Sequence, residues 1–432
     1  MNFLLPEINP MYPMNTNSKK RHYRWWDPQA STASNLMLAG PADPGALQSA
    51  GGLITGRMIG NFLFTRTDTP GTGGKVGGYI NNEGLLDYPT ENHEPRYEYL
   101  PDGKSGLLLE NANAGSAVNR LYNTANWSTQ GTFGWASNQM TGLGTLAATG
   151  PDGTTSAVVL TTTASSGHVH QTRGAVGVGT RHFTVWLRTP TGAGSKSVDL
   201  TLNNFASHTT VTVTETWQRF YITLASGSVT AGIRAHGQGT VIHAYGPMLT
   251  VNQPPCSEAI NNDVNATCGV EKISTSMLGC TGGMFVVCDI FRRSRPHVGN
   301  STIYVDIMGE AGLTTLYTGV VLNGRSPGVF SMYADDGVDY FENAGSVWWT
   351  ERIKIVVAMK PGLMKTFVTG VPTSFDVDSF IGYPGSGNLV MDIVGDQIMV
   401  NSVMVYPYFP TDEILQSHTF IEGFVSGEPE GL

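Results

Sequence analysis

Glu94-Pro95-Arg96-Tyr97-Glu98-Tyr99, then Leu100-Pro101-Asp102-Gly103, then Leu107-Leu108-Leu109-Glu110, reads as a β-hairpin. Side chains alternate along a strand, so Tyr97 and Tyr99 share one face, and Leu107 and Leu109 return on one face of the partner. Pro101 presets its own φ, and Asp102-Gly103 tolerates the positive φ of a tight turn. Downstream come Asn119-Arg120-Leu121 and Asn126-Trp127.

Outward from this hairpin the same period of two persists. Val158-Val159-Leu160, Phe183-Val185-Leu187, Val211-Val213 and Phe220-Ile222-Leu224 alternate as half-buried strands do, separated by turns such as Thr191-Gly192-Ala193-Gly194. Past the tandem prolines of Gln253-Pro254-Pro255, which enforce an extended link, strands are expected at 284–290, 302–307, 328–333, 352–358, 365–368 and 397–406. Thr411-Asp412-Glu413-Ile414-Leu415 is set up for a short helix, with Thr411 as N-cap and two carboxylates favouring its first turn.

Composition agrees. Charged residues are 14% of the 432 positions, against roughly 25% in ordinary globular proteins, and 53 positions are glycine. Forty per cent hydrophobic and 9% aromatic residues suffice for cores, which separates the chain from disordered sequences. The fold class is therefore all-β: two tandem antiparallel β-sandwiches of jelly-roll type, preceded by an extended arm and a hairpin-rich connector. The expected division is an arm at 1–55, a connector at 56–105, a first sandwich at 106–252 and a second at 253–432.

The arm differs from the rest. It carries Pro6, Pro10 and Pro13 and then Lys19-Lys20-Arg21-His22-Tyr23-Arg24-Trp25-Trp26, with no amphipathic period. Two adjacent exposed tryptophans are costly, and Trp and Arg are the types most enriched at interface hot spots. Arg21, Arg24, Trp25 and Trp26 are accordingly the docking candidates, on another protein or on neighbouring copies. Two alternatives stay open: the tryptophans pack back on the first sandwich, or the basic cluster meets phosphate.

A net charge of −9 argues against a nucleic-acid partner. No run of about 18 apolar residues is present, so no membrane insertion is expected, and the first residues lack the basic leader of a signal peptide. Cys256, Cys268, Cys280 and Cys288 do not form the paired clusters that tetrahedral zinc favours. Cys288, inside Met284-Phe285-Val286-Val287-Cys288, reads as a core thiol. A disulfide among the others stays open, with free thiols favoured by synthesis in a reducing compartment.

Chemistry leaves little trace. No Gly-x-Ser-x-Gly elbow and no phosphate-cradling glycine loop occurs. His168-Val169-His170 puts two imidazoles on one strand face, half of a metal site, but without a carboxylate or thiol in the segment it reads as polar strand residues. Asp335-Asp336 with Asp339 reads as a solvated turn, or less favourably a weak Ca²⁺ site, rather than a glycosidase pair. No catalytic residue, cofactor or metal is expected. For sugar stacking, Trp135, Trp186, Trp217, Trp348 and Trp349 are the possible platforms, with Trp217 read as core. Trp348 and Trp349, which point to opposite faces of a strand, are the glycan-contact candidates.

The order of residues from Glu94 to Trp127, with Phe64-Thr65-Arg66, Gly84-Leu85-Leu86 and Asn92 ahead of it, resembles a tract of bacteriophage tail-fibre and other virion proteins. That tract runs through an Asn-x-Pro-Arg-Tyr/Phe-x-Tyr hairpin, a Gly-Leu-Leu-x-Glu strand and an Asn-Leu segment ending in Trp, and leads into lectin-like sandwiches. His93-Glu94 adds a residue to the usual spacing and Arg120 departs from the Asn-Leu pair. Thr216-Trp217-Gln218-Arg219-Phe220 and Tyr245-Gly246-Pro247-Met248-Leu249 resemble strands of carbohydrate-binding-module jelly rolls. Lys365-Thr366-Phe367-Val368-Thr369-Gly370-Val371 resembles an element of concanavalin A-like, laminin-G-type lectin folds, as does the terminal helix.

The resemblance implies a non-enzymatic virion protein made in the host cytoplasm, a tail fibre or tail appendage. It would trimerise, dock on other virion proteins through residues 1–55 and present its sandwiches to host-surface glycan. Two other assignments stay open: a capsid decoration or head-fibre protein, and a depolymerising tailspike.

Overall fold

The computed structural model describes residues 36–39, 57–59, 62–66, 75–89, 95–99, 105–110, 117–129, 134–174, 176, 179–225, 229–252, 259–261, 266–269, 271–277, 283–292, 302–309, 317–323, 328–335, 340–347, 352–369, 375–380, 389–396, 398–406 and 408–421. The docking candidates Arg21, Arg24, Trp25 and Trp26 lie outside the described residues, as do Cys256 and Cys280. The described chain is built of antiparallel strands, with a single helix, Asp412–Ser417, where the sequence placed it. Thr411 takes the N-cap position with extended backbone, but its side chain makes no capping hydrogen bond. No described helix is long and apolar enough to cross a membrane.

The first sandwich has two sheets. One orders its strands Ala136–Asn138, Ser166–Arg173, Val229–His236, Lys196–Thr201 and Thr209–Val213. The other runs Met140–Thr141, Thr155–Thr162, Val241–Val251, Arg181–Arg188 and Gln218–Leu224, with Leu146–Thr149 also on Thr155–Thr162. Alternation decides the layers. Val169, Val198, Leu200, Ala231, Ile233 and Ala235 of the first sheet meet Val158, Leu160, Phe183, Val185, Leu187 and Ile242 of the second in one buried core. Trp127 and Trp135 close it, with ring centroids 4.4 Å apart. Burying an aliphatic or aromatic side chain of this size contributes about 1.5–3 kcal/mol, so these alternating positions carry the module.

The second sandwich recruits strands from both ends of the chain. Its larger sheet runs Phe375–Phe380, Gly362–Val368, Arg352–Lys360, Met284–Arg292, Ile398–Tyr406, Ser105–Leu109 and Tyr97–Tyr99, and Leu36–Ala39 also pairs with Ile398–Tyr406. A second sheet runs Arg57–Ile59, Phe62–Arg66, Glu271–Met277, Leu389–Asp396 and Thr302–Gly309. The hairpin at 97–109, which the sequence reading divided between the connector and the first sandwich, is hydrogen-bonded into this C-terminal sheet, Leu107 opposite Val400 and Leu109 opposite Ile398. Its leucines are buried on both faces, so this strand lies inside the fold. Gly106 permits the approach: a Cβ there would lie 3.0 Å from the Val400 carbonyl oxygen and 3.0 Å from the Met399 Cβ.

Buried polar side chains fasten these strands. Arg96 donates through Nη2 to Glu110 at 2.8 Å and through Nε to Glu271 at 2.9 Å, with Arg66 3.9 Å from Glu271. All four side chains are almost wholly buried. Burial pushes the Glu271 carboxyl up, while Arg96 and Arg66 pull it back down. Asn119 ties the start of the first sandwich to its end. Its amide donates to the Pro247 and Ala259 carbonyls and its oxygen accepts from the Leu121 and Leu249 N–H groups.

Candidate functional site

The two outer faces of the first sandwich have different fates. On the six-stranded sheet, Trp186, Tyr245 and Ala157 are packed under Leu86, Ile260, Ile80 and Tyr88. On the five-stranded sheet the outward His168, His170 and Arg234 are half-buried, and Phe205 of the 202–208 loop lies against His168 and Arg234. Pairing builds two rows across it. Asn138, His168, Arg234, Asp199 and Thr210 are successive cross-strand partners, and beside them lie Ala136, His170, Gly232 and Thr201.

Asp199 is the electrostatic centre. It accepts from Thr210 Oγ1 at 2.7 Å, from Arg234 Nε at 2.9 Å and Nη2 at 2.7 Å, and from His236 Nε2 at 2.8 Å, with His208 3.8 Å away. Burial opposes its charge, but these hydrogen bonds and His208 outweigh that and hold the carboxyl at about 2. Arg234 is thereby neutralised through two of its nitrogens. Burial pulls His168 and His170 below the usual imidazole range, His168 further by the charges of His170 and Arg234, so both rings are neutral near pH 7.

Phe205 completes the face. Both Asn204 and Phe205 have left-handed backbone, φ 57° and 61°, which costs a non-glycine residue energy unless its surroundings fix it. The Thr201 hydroxyl supplies that fixation, accepting from the Phe205 N–H at 2.9 Å and the Asn203 N–H at 3.1 Å. The Asn203 side chain accepts from the Ser207 N–H at 2.9 Å. The ring is thus brought down over Gly232, where an added Cβ would lie 3.3 Å from it. It stands 5.0 Å from the His168 ring and 4.8 Å from the Arg234 guanidinium. His168 and His170 are 5.3 Å apart, as their one-face spacing predicts.

This arrangement suits binding more than turnover. Asp199 is the single carboxylate in the strands of this face, whereas glycoside hydrolysis of the usual kind needs two. Held at about 2 and fully hydrogen-bonded, it is a poor proton donor or acceptor near neutrality. Among the described residues no cluster of three His, Cys, Asp or Glu could hold a metal ion.

The tryptophan platforms fare differently from expectation. Trp135 and Trp186 are buried, and Trp217 is half-buried under the Arg188 guanidinium, 5.0 Å away. Trp348 and Trp349 lie outside the described residues. The Phe205 ring was not singled out in the sequence, because nothing in Leu202-Asn203-Asn204-Phe205 distinguishes a held loop from an ordinary turn.

No family model matches the chain, and no curated protein does. Among solved structures it is similar to galectin LEC-6 of Caenorhabditis elegans, at 12% identity over 31% of this chain and 88% of that one, TM-score 0.24. It is similar also to the CBM2 module of the evolved Dit of Lactobacillus casei BL23 phage J-1, at 8% identity over 33% of this chain and 71% of that one, TM-score 0.27. A third is the Ruminococcus gnavus IT-sialidase CBM40 bound to α2,3-sialyllactose, at 14% identity over 32% of this chain and 83% of that one, TM-score 0.25. Likeness at this level is to layered β folds and carries nothing about ligand or partner.

Proposed function

We propose that the chain is a non-enzymatic structural protein of a bacteriophage particle, a tail fibre or tail appendage. Residues 1–55 fix it to other virion proteins, copies associate as a trimer, and a sandwich face contacts host-surface glycan through many weak, multivalent contacts. Support for the particle comes from the ordered tract between Glu94 and Trp127. The observation that carries the adhesive part is the outer face of the five-stranded sheet, where a partly exposed Phe205 ring stands beside partly exposed His168 and His170. A face with one fully engaged carboxylate suits holding a ligand, not cleaving it.

The test has two arms. Particles labelled at this protein and imaged by negative stain should show label on the tail, and deletion of residues 1–55 should abolish its incorporation. Label confined to the head would replace the tail reading with a head-fibre one. Cleavage of host polysaccharide by the purified chain would refute the non-enzymatic reading.

A further inference from the structure

We propose that the sheet face around Phe205, His168 and His170 binds an uncharged pyranose, stacked on the Phe205 ring, in preference to sugars that carry a carboxylate. The inference rests on the adhesion reading above and names its ligand class and contact residues.

Three observations carry it. First, the ring is presented, not merely present. A left-handed Phe205 held by Thr201 and seated over a glycine gives a fixed apolar platform whose ordering cost is met in the free protein. Aromatic faces take the C–H side of a sugar ring.

Second, the polar groups beside it are of the kind that sugar hydroxyls need. A neutral imidazole has one donor and one acceptor, matching a hydroxyl that is both. The Nδ1 of His170 is enclosed and has no hydrogen-bond partner among the described residues, while the residue as a whole is partly exposed. The Thr172 and Thr230 hydroxyls, 3.1 Å apart, extend the polar rim along the same strands.

Third, the charge is spent internally. Arg234 is the one permanent cation of the two rows, and Asp199 engages it through Nε and Nη2. A carboxylated sugar would meet no unpaired cation in the two rows and would approach a chain of net charge −9. An uncharged sugar loses nothing on any of these counts.

The experiment is a glycan array followed by titration calorimetry on the full chain at pH 7.5, with neutral hexose-terminated oligosaccharides against sialylated and uronate-bearing ones. Neutral ligands are expected to bind. Phe205→Ala should weaken them at least about tenfold, and Phe205→Trp should retain them. His168→Ala with His170→Ala should weaken them by a similar factor, with the β-type circular dichroism spectrum of the wild type unchanged in each variant. Because Phe205→Trp keeps the platform, its retained binding separates loss of stacking from loss of fold.

Binding of carboxylated glycans alone would overturn the ligand class. Neutral binding untouched by Phe205→Ala would overturn the location. Both results leave the adhesion reading standing. Absence of binding to any glycan would remove the adhesive reading and this proposal together.

Discussion

Replacing Arg96 by methionine should loosen the C-terminal sandwich while sparing the first one. The guanidinium is 2% exposed and touches two carboxylates, Glu110 and Glu271, that are themselves fully enclosed. Removing it leaves both acids inside the fold without their shared guanidinium, with Arg66 3.9 Å from Glu271. Breaking a buried pair by deleting one partner costs about 3–5 kcal/mol, because a charge stays behind unpaired. At 1.36 kcal/mol per decade that is an opening constant raised by about two to four orders of magnitude. Hydrogen–deuterium exchange by mass spectrometry reads it: protection should fall by that factor at Met284–Arg292 and Ile398–Tyr406, and stay within a few-fold at Val229–His236. Burial already raises the Glu271 carboxyl to about 7 with Arg96 in place, and without the guanidinium it rises further, so the native state binds more protons than the unfolded chain and the variant should lose further stability as pH rises from 5 to 8. Replacing Arg66, Arg96, Glu110 and Glu271 together by apolar residues should recover most of the loss. Less than a tenfold change in protection, or loss appearing first in Val229–His236, would refute the reasoning.

Three further outcomes follow from the same structure. Asn119→Ala removes partners from two buried carbonyls and two buried N–H groups, and thermal melts should show a loss of about 3 kcal/mol or more. Asp199 has a depressed carboxyl, so its stabilisation is complete above the ordinary aspartate range and disappears as pH falls through about 2. The stability gap between wild type and Asp199→Asn should therefore be constant from pH 5 to 7 and close toward pH 2. Burial, then the charge of Asp289, pushes the Cys288 thiol up to about 12. Iodoacetamide at pH 8 should leave Cys288 unmodified in the native protein and alkylate it in denaturant.

What the sequence made legible was local. Period-two alternation placed the strands of both sandwiches, and Thr411-Asp412-Glu413 placed the helix at Asp412–Ser417. It also put His168 and His170 on one face. Partner choice was not legible. The alternation of Leu107 and Leu109 says which face each occupies, but strand neighbours are chosen by long-range pairing, and Ile398–Tyr406 lies far along the chain. The hint was Gly106, a residue without a side chain in an otherwise bulky strand, which marks close approach of another backbone. The site was half visible: Asp199 and Arg234 stand between core residues, but their registration depends on the strand order. Aromatic size misdirected the search for a platform. Trp135 and Trp186 are large enough that packing claims them, whereas Phe205 is held out by hydrogen bonds to Thr201 that composition does not encode.

The residues that carry the virion-like resemblance turn out to hold the architecture together. Arg96 and Glu110 form the buried ion pair, Asn119 closes the first sandwich, and Trp127 stacks in its core. Each is buried, so such a tract reports how a chain of this design is assembled, not what it touches. Contact with a ligand falls instead to outward positions between core residues, such as His168 and His170, and to the loop that presents Phe205. Those positions bear little of the packing energy, so they can change without loss of fold. It follows that exchanging His168 or His170 should alter ligand choice at nearly constant stability. Exchanging Arg96, Asn119 or Trp127 should cost stability before it changes recognition.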